Sequence, residues 1–490
     1  MAITIVGLGP GDASLITRQA WHLLTSTGEV WVRTSRHPAV DELPDTVTLH
    51  SFDAIYDNAE DFSEVYTTIA ETVIGKGRTG GIVYAVPGNP FVGEATVQAI
   101  VAAARDESVA VELVAGLSFV EPVLAALQVD ALDGLQLFDA ITVGSYLYPP
   151  INPDVPLLLG QVYSRLLANE LKLSLVSIYP PDHQVALVHH AGQADEIVES
   201  VSLYEFDRSE QIDHLTSLYI PTLPVKAGLP TLAETVAILR SPNGCPWDQE
   251  QTPQSMREGF LEEAYEVIAA LDAEDIVNLR EELGDLMYHI VMQAQMAAEA
   301  EEFTLTDVIA GIEAKLKRRH PHVWGDWEVS DTAQVLLNWE KLKQQEKADQ
   351  GDTPASILDN VPLVLPALAR SEKIQSKVAK VGFDWPDVDG VYAKIAEEIE
   401  EVQTANSAEE QMAEIGDLLF AVTNLARWYH IDAESALREA NIRFSGRFRV
   451  VEQLAAERNL SLADLDINEL EALWQEAKAT VARNSLTDTV

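Results

Sequence analysis

Short apolar runs that end at Gly or Pro dominate the first 222 residues of the chain. Such runs, with helix-like stretches between them, are typical of strands in an α/β fold. Beyond this point apolar residues recur at spacings of three and four with Glu and Lys between them, which indicates helices. The pattern therefore predicts a multidomain protein with an N-terminal α/β domain and an all-α remainder. The predicted strands are residues 3–6, 30–32, 82–86, 109–114, 141–143, 156–159 and 185–188.

The helical part contains two copies of one acidic pattern. Glu262–Glu266 recurs at Glu397–Glu401 with an offset of 135, and Glu282–Met287 recurs at Glu414–Leu419 with an offset of 132. Two patterns that recur in the same order at nearly one offset indicate a duplicated module. The all-α part is therefore predicted to consist of two related helical modules.

Stretches with Pro and Gly mark the expected boundaries between domains. We expect a linker at 221–230 and a boundary between the two helical copies at 350–354. The predicted domains are residues 1–222, 228–350 and 355–485.

The charge balance is strongly acidic. The 490 residues include 33 Lys and Arg against 78 Asp and Glu, a formal net charge of −45. Such a surface repels a phosphate backbone, so we expect no nucleic-acid partner.

Cys245 is the single cysteine, which excludes an internal disulfide and a cysteine-rich zinc site. The N-terminus lacks the basic region of a signal peptide, and no apolar run approaches the roughly 18 residues that cross a bilayer. We expect a cytoplasmic protein with no membrane partner.

The acids of each copy have the spacing of one helix face, at which residues i and i+4 lie one turn apart. A break at 272–275 in the first copy, or at 405–407 in the second, would let two helices fold back antiparallel so that their carboxylates converge. Apolar residues flank the acids, and unpaired like charges on such a face are costly. A divalent cation removes that cost, and all-oxygen ligation points to Mg²⁺ or Mn²⁺ rather than zinc. A single Glu-Glu-x-x-Glu would more simply be a solvated helix face.

The acidic patterns, with Gly244–Asp248 ahead of them and Lys317–Val323 behind, resemble the MazG family of nucleoside triphosphate pyrophosphohydrolases. The second copy resembles the C-terminal MazG module through residues 416–421, 424–427 and 441–448. The resemblance implies an all-α fold, a homodimer or higher homo-oligomer, and Mg²⁺-dependent cleavage of a nucleoside triphosphate to its monophosphate and pyrophosphate. Its implied metal ligands are Glu263, Glu266, Glu282 and Asp285 in the first copy and Glu398, Glu401, Glu414 and Asp417 in the second. Glu262 and Glu397 are implied as ligands of a second metal or as groups that activate water.

Basic residues in each copy are candidates for holding the phosphates. The candidates are Asn441, Arg443 and Arg447 in the second copy and Lys315, Arg318 and Arg319, beside His320, in the first. A cluster of cations is conspicuous in so acidic a chain, although cations are also favoured at the C-terminal end of any helix. Trp474 matches a family position implicated in stacking on the base, and it is equally interpretable as an aromatic residue of a helix core.

Three apolar strands of the N-terminal part run into glycine-containing turns, at Gly7–Asp12, Pro87–Pro90 and Ala115–Ser118. Glycine lets a backbone approach a ligand closely. The first turn is not the dinucleotide fingerprint, because Asp12 occupies the third glycine position. The three turns therefore predict a ligand site whose class the turns alone leave open.

Together with Leu15-Ile16-Thr17, these turns resemble the tetrapyrrole methylase family over about residues 1–222. That resemblance implies two α/β lobes with S-adenosylmethionine between them and a tetrapyrrole or other methyl acceptor. Many members have Gly-Asp-Pro where this chain has Gly88-Asn89-Pro90, and the missing carboxylate bears on methyl transfer more than on the fold. The candidate cofactor contacts are Gly9, Pro10, Gly88, Asn89, Pro90 and Ser118.

The order of the two parts resembles the YabN type of fusion. The leading hypothesis is a Mg²⁺-dependent pyrophosphohydrolase that clears nucleotides, joined to an S-adenosylmethionine-binding domain. One alternative is a methyltransferase whose helical modules serve only for oligomerisation. Another is an N-terminal domain that senses a ligand without catalysis.

Overall fold

A computed structural model describes residues 2–58, 62–349, 356–359 and 361–487. The chain forms two compact units, Met1–Ile312 and Glu313–Val490. The predicted domain boundaries stay predictions, and the one expected at 350–354 lies outside the described residues. In the part of the chain that is described, no helix is both long enough and apolar enough to cross a membrane.

The strands of the first unit are β1 (Ala2–Gly7), β2 (Glu29–Val32), β3 (Thr48–Ser51), β4 (Ile82–Val86), β5 (Ala110–Val114), β6 (Gln136–Asp139), β7 (Leu157–Gly160), β8 (Gln184–His189), β9 (Ile197–Ser202) and β10 (Thr216–Ile220). Its helices are α1 (Arg18–Ser26), α2 (Pro38–Asp41), α3 (Asp53–Asn58), α4 (Phe62–Thr79), α5 (Ala95–Asp106), α6 (Val120–Leu127), α7 (Ala140–Gly144), α8 (Arg165–Leu175), α9 (Leu229–Arg240), α10 (Pro246–Glu250), α11 (Arg257–Asp272) and α12 (Ile276–Glu299). The helix α13 (Leu305–Arg319) contains the point at which the two units divide. The helices of the second unit are α14 (Pro321–Trp324), α15 (Thr332–Asp349), α16 (Ala367–Ala379), α17 (Val388–Thr404), α18 (Ala408–Trp428), α19 (Ala433–Glu457) and α20 (Ile467–Thr487).

The first sheet is parallel, with strand order β3-β2-β4-β1-β5. Apolar side chains such as Ile3, Ile5 and Tyr84 are fully buried between its strands and the helices α4 and α5. Burial on both faces explains why these strands read as continuous apolar runs. The carboxyl ends of β1 and β4 lie side by side, so the turns that follow them meet at one edge of the sheet.

The second sheet is mixed, with strand order β6-β7-β10-β8-β9, in which β6 and β7 are parallel and the other pairs antiparallel. Its core packs α7 and α8 against strands β7, β8 and β10. The predicted α/β class of the N-terminal part is thereby confirmed. The strand predicted at 141–143 is wrong, because these residues form α7. The Asp139 carboxylate caps the first turn of this helix by accepting a hydrogen bond from the Thr142 N–H. Three apolar residues in a row fit a helix turn as well as a strand.

The segment at 221–230, predicted as a linker, is held to the second sheet by Asp154. This carboxylate is 8% exposed and accepts the backbone N–H groups of Ala227 at 2.8 Å and Gly228 at 2.9 Å, together with the Thr231 hydroxyl. These hydrogen bonds lower the pKa of Asp154 against the opposing effect of its burial. An anion at the first turn of α9 also matches the positive end of the helix dipole. Residues 221–228 thus join β10 to α9 without regular structure, and Asp154 anchors the end of this segment.

The two acidic patterns fold as two helical hairpins, α11 with α12 and α17 with α18. Each second helix begins with an N-cap where the sequence predicts a break. Asp275 accepts the backbone N–H groups of Val277 and Asn278, and Ser407 accepts that of Glu410. Both predicted turns are confirmed.

Several apolar side chains on these hairpins stay exposed in a single chain. Ile399, Ile415 and Leu419 are 43%, 47% and 52% exposed. A second copy of the chain would cover such side chains in the expected homodimer. The oligomeric state stays a prediction.

His190 ties together one end of the second sheet. Its Nδ1 lies 2.5 Å from an Asp195 oxygen and its Nε2 lies 2.7 Å from an Asp213 oxygen. The hydrogen bond to Asp213, with that to Asp195, raises the pKa of His190 despite partial burial. The loop that follows packs on the first glycine turn, since a Cβ on Gly11 would lie 3.2 Å from Gln193 Cγ.

This ion triad should make the stability of the first unit depend on pH. Because the folded-state pKa of His190 is raised, its contribution is complete below the unfolded value of about 6.5 and is lost as the pH rises through the folded value. We expect the difference in melting temperature between the wild type and His190→Gln to be largest near pH 6 and to shrink toward pH 9. A difference that is constant with pH would show that His190 is not charged in the folded protein.

Candidate functional site

The acids of the first copy converge between α11 and α12. Glu263, Glu266 and Glu282 each place one carboxylate oxygen within 4.8 Å of the other two. Partial burial, with the charges of Asp285 and Glu266, raises the pKa of Glu263. Partial burial and the negative charge of Glu266 likewise raise the pKa of Glu282. Three carboxylates thus repel one another at close range, while Asp285 adds its charge from one helix turn away.

The same arrangement recurs between α17 and α18. Glu398, Glu401 and Glu414 place one oxygen each within 4.8 Å of the others. Partial burial, followed by the charges of Glu398 and Glu414, raises the pKa of Glu401. The Glu398 residue is only 3% exposed, so its charge is the most costly of the set.

A cation from the same helix partly neutralises the second cluster. Lys394 Nζ lies 2.7 Å from Glu398 Oε1 and 2.9 Å from Glu397 Oε1, and these hydrogen bonds raise the pKa of Lys394. Among the described residues, the buried Oε2 of Glu398 has no hydrogen-bond partner. Glu397 is about half exposed and remains open to water.

Both clusters fit a hard divalent cation. Their donors are carboxylate oxygens from two facing helices, and loss of hydration together with the neighbouring carboxylates raises the pKa values of Glu263, Glu282 and Glu401. Among the described residues, one buried oxygen of the second cluster lacks a partner. Oxygen-only donor sets favour Mg²⁺ or Mn²⁺. Of the predicted ligands, Asp285 and Asp417 lie outside the two sets of carboxylates whose oxygens are within 4.8 Å of one another. Asp417 and Glu398 both line one cavity. The other six predicted ligands are brought together, three in each copy.

The basic residues assigned to the first copy are engaged elsewhere within the second unit. Arg318 Nε lies 2.8 Å and Arg319 Nη2 lies 2.6 Å from the Glu346 carboxylate. These hydrogen bonds lower the pKa of Glu346 to about 2, and the one from Arg319 has the larger effect. Lys315 is exposed. The two arginines therefore already have a carboxylate partner, and their assignment to phosphate stays a prediction.

The basic residues of the second copy lie along α19. Asn441 is exposed, Arg443 is about half exposed and paired with Glu439 at 2.9 Å, and Arg447 is half-buried. Trp474, on α20, packs against Phe444 with ring centroids 5.0 Å apart and contributes to the core between α19 and α20. The structure thus places Trp474 as a core aromatic within one chain, and its role toward a base stays a prediction.

Three glycine backbones meet at the carboxyl edge of the first sheet. A Cβ on Gly116 would lie 2.3 Å from the Gly88 carbonyl oxygen and 2.9 Å from the Gly7 Cα, and a Cβ on Gly7 would lie 2.4 Å from that same oxygen. Gly9 and Gly88, both with positive φ, exchange backbone hydrogen bonds of 2.8 Å and 3.3 Å. The close approach of the turns leaves no room for a Cβ at Gly7, Gly9 or Gly116. A Cβ at Gly88 would have room, and this position favours glycine through its positive φ.

The remaining candidate cofactor residues shape these turns. The Asn89 Nδ2 donates to the Gly116 carbonyl at 2.9 Å, a hydrogen bond that a carboxylate in its place would be unable to donate. Ser118 is 4% exposed, and its hydroxyl donates to Glu121 at 2.5 Å while its backbone N–H donates to the same carboxylate at 2.8 Å. Pro10 is half-buried and Pro90 is buried. Asn89 therefore links two of the turns, which gives its amide a structural role.

Polar residues beside the glycine turns escaped the sequence interpretation. His37 is buried, its Nε2 lies 3.1 Å from the Gly9 carbonyl oxygen, and burial lowers its pKa, so the neutral ring donates to the first turn. Arg33, which follows β2, pairs with the buried Glu94 and donates to the Tyr56 hydroxyl at 2.8 Å. None has a local spacing that marks it, because each partner is far away in sequence.

Two residues beside the acidic clusters were also missed. Lys394 stands four residues before Glu398, and that helix spacing is a signal the sequence offers. His289 follows Asp285 by one helix turn, is 7% exposed and lies 4.0 Å from Glu263 Oε1. Burial lowers the pKa of His289.

Comparison with known proteins finds two families along the chain. The family profile of the tetrapyrrole (corrin/porphyrin) methylases matches residues 2–207, and that of the MazG nucleotide pyrophosphohydrolase domain matches residues 251–324. The uncharacterized protein YabN of Bacillus subtilis (strain 168) is 40% identical over 491 residues, which cover 98% of this chain and 99% of YabN.

Two shorter relatives match about half of the chain. The nucleoside triphosphate pyrophosphohydrolase of Escherichia coli (strain K12) is 46% identical over 246 residues, covering 49% of this chain and 93% of that protein. The nucleoside triphosphate pyrophosphohydrolase/pyrophosphatase MazG of Thermotoga maritima is 42% identical over 240 residues, covering 49% of this chain and 91% of that protein. The chain belongs to the YabN family, in which a tetrapyrrole methylase domain is followed by MazG nucleotide pyrophosphohydrolase sequence.

Proposed function

We propose that the chain is a divalent-metal-dependent nucleoside triphosphate pyrophosphohydrolase that releases a nucleoside monophosphate and pyrophosphate, and that it serves to clear nucleotides from the pool. The observation that supports this most is the recurrence of one carboxylate cluster in both helical hairpins, with raised pKa values of Glu263 and Glu282 in the first copy. The MazG relatives, which bear the name of this activity, agree with it.

In this proposal the acids on the facing helices hold Mg²⁺ or Mn²⁺. The ligands are Glu263, Glu266, Glu282 and Asp285 in the first copy and Glu398, Glu401, Glu414 and Asp417 in the second. The bound cation would neutralise the phosphates and lower the pKa of the attacking water. Glu397, and Glu262 in the first copy, would either hold a second cation or accept the proton of that water; the exposure of Glu397 supports such access to water.

Cations on α19 would hold the phosphates in the second copy. Arg443 and Arg447 lie one helix turn apart, and Asn441 precedes them on the same helix. Arg443 would exchange its exposed partner Glu439 for a phosphate, which forms stronger charge-assisted hydrogen bonds with a guanidinium. In the first copy Arg318 and Arg319 would first have to leave Glu346.

A second function is supported by the three glycine turns. We propose that Gly9, Pro10, Gly88, Asn89, Pro90 and Ser118 surround S-adenosylmethionine at the carboxyl edge of the first sheet, where ligands of parallel sheets commonly bind. The backbone contact of Gly7, Gly88 and Gly116 supports such a site. Calorimetry with S-adenosylmethionine, repeated with a tetrapyrrole, tests it: methyl transfer would favour a methyltransferase, and binding without turnover would favour a sensor.

Pyrophosphate release tests the main proposal. With Mg²⁺ or Mn²⁺ and a panel of nucleoside triphosphates, we expect pyrophosphate and the monophosphate as products, and excess chelator should abolish the reaction because the donor set holds only hard oxygen ligands. Full activity in excess chelator would exclude the metal site. Release of orthophosphate with the diphosphate would contradict the reaction, and no hydrolysis of any nucleotide would favour the scaffold alternative.

A further inference from the structure

A cavity of about 640 Å³ opens beside the second acidic cluster, inside the second unit. Glu398 and Asp417 lie in its wall at one side. Much of the remaining lining is apolar, and it includes the rings of Phe383, Trp385 and Phe420. Phe383 is 77% exposed and Trp385 is 44% exposed, so both rings are available for contact with a ligand. The volume falls within the range of about 300–1,000 Å³ that small-molecule sites span.

One buried polar group in this wall lacks a partner. Gln375 is 4% exposed, and its Nε2 donates to the Phe420 carbonyl at 2.8 Å, which fixes the amide. Its Oε1 has no hydrogen-bond partner in the described part of the chain. A buried carbonyl oxygen of this kind is costly unless an N–H donor reaches it. In a cavity, a ligand is the natural source of that donor.

In the first copy, the position that corresponds to Ala421 of the cavity wall carries the larger side chain of His289. At the offset of 132, Ala421 of the cavity wall corresponds to His289. The His289 ring lies directly against α11, where a Cβ on Gly259 would stand 3.0 Å from its Cε1. At the offset of 135, Gly259 corresponds to Lys394, which turns to Glu397 and Glu398 instead. The two copies have thus kept the acids and diverged in the space beside them.

We propose that this cavity binds the base and sugar of the nucleotide, and that it selects purine nucleoside triphosphates with Gln375 Oε1 accepting an N–H of the base. This inference rests on the proposed pyrophosphohydrolase function. A purine covers more of the apolar wall than a pyrimidine and gains more from burial and from stacking on Phe383 and Trp385. The exocyclic amino group of adenine or guanine supplies the donor; cytosine carries one too, so the preference for purines comes from the size of the ring system. Trp474, the residue predicted to contact the base, is not among those that line the cavity.

Ala421→His tests the assignment by copying the side chain of the first module into the second. The probes are the α,β-methylene analogue of ATP, which resists cleavage, and inorganic tripolyphosphate, both measured by calorimetry with Mg²⁺. We expect the affinity for the analogue to fall by about a hundredfold, because the imidazole occupies the space of the base, and the affinity for tripolyphosphate to stay within about twofold. Ala456→His, the same substitution at an exposed position of α19 outside the cavity wall, is the matched control and should change neither.

Phe383→Ala provides a test that leaves the packed core intact, since this ring is largely exposed. Loss of one stacking ring should lower the affinity for the ATP analogue by about tenfold and leave the affinity for tripolyphosphate unchanged. Gln375→Met keeps the length of the side chain and removes both the acceptor and the hydrogen bond to the Phe420 carbonyl. It should lower the affinity for the ATP analogue more than that for tripolyphosphate. Melting curves of each variant identify any loss that comes from unfolding.

The outcomes separate this inference from the function on which it rests. Two results together support the cavity as the base site. The wild-type protein releases pyrophosphate from purine nucleotides in preference to UTP and CTP, and both Ala421→His and Phe383→Ala lose affinity for the analogue. Hydrolysis with unchanged analogue affinity in both variants, or with no preference for purines, overturns the cavity assignment alone. Absence of hydrolysis in the wild type overturns the proposed function instead.

Discussion

Replacing Asp417 with asparagine or Glu401 with glutamine should lower pyrophosphate release by about a hundredfold or more, which corresponds to about 2.7 kcal/mol in the barrier. Each change removes one charge from the proposed metal site at nearly constant shape. The matching changes in the first copy, Asp285→Asn and Glu266→Gln, should cost much less. Initial rates of the four variants at saturating Mg²⁺ measure the difference.

The expected asymmetry follows from what surrounds the acids. The second cluster borders the cavity and contains the nearly buried Glu398 with its unpartnered oxygen. It is also the copy to which Asn441, Arg443 and Arg447 are assigned. In the first copy His289 packs against α11, and Arg318 and Arg319 are bound to Glu346. The acids are common to both copies, so the neighbours must decide the activity.

Two other outcomes would change the assignment. A large loss from the first-copy variants with little from the second would reverse it. Comparable losses from both would mean either two working sites or one site that depends on the other copy for assembly. The oligomeric state of each variant, measured by light scattering, distinguishes these two cases.

Gly116→Ala should abolish binding of S-adenosylmethionine. The added Cβ would lie 2.3 Å from the Gly88 carbonyl oxygen, a distance that requires the backbone of one turn to move. Because both neighbours are backbone atoms, no side-chain rotation relieves the overlap. We expect a loss of affinity of at least about a hundredfold by calorimetry. Gly9→Val should act similarly, since Gly9 has φ of +79° and its Cβ would lie 2.6 Å from the Leu15 carbonyl oxygen.

Gly75→Ala is the matched control for the glycine variants. Gly75 lies within α4, and a Cβ there would meet nothing within 4 Å. Alanine should leave cofactor affinity unchanged and stabilise the helix by about 0.5–1 kcal/mol. Pyrophosphate release by the same Gly116→Ala protein reports whether the rest of the chain still folds. Retained affinity in both Gly116→Ala and Gly9→Val would remove these turns from the cofactor site.

The sequence by itself determined the two helical hairpins and much of the two sheets. The break before Ile276 and the break before Ala408 are local features, because Asp275 and Ser407 cap the next helix with their own side chains. The acids of each hairpin meet as their spacing predicts, since helix periodicity and a short turn suffice to bring them together. Buried parallel strands such as β1 and β4 are visible as apolar runs for the same reason.

Only the tertiary structure decided which neighbours these elements acquire. His37 reached Gly9 from another segment, and Arg33 reached Glu94 in the same way. The offset of 132 aligns His289 with Ala421, but only packing shows that His289 lies against α11 and that Ala421 borders a cavity. Patterns along a chain report interactions over a few residues, within one helix turn or one strand. A cavity, a buried pair or an orphaned carbonyl oxygen depends on packing between segments far apart in sequence, and that packing is set by the fold as a whole.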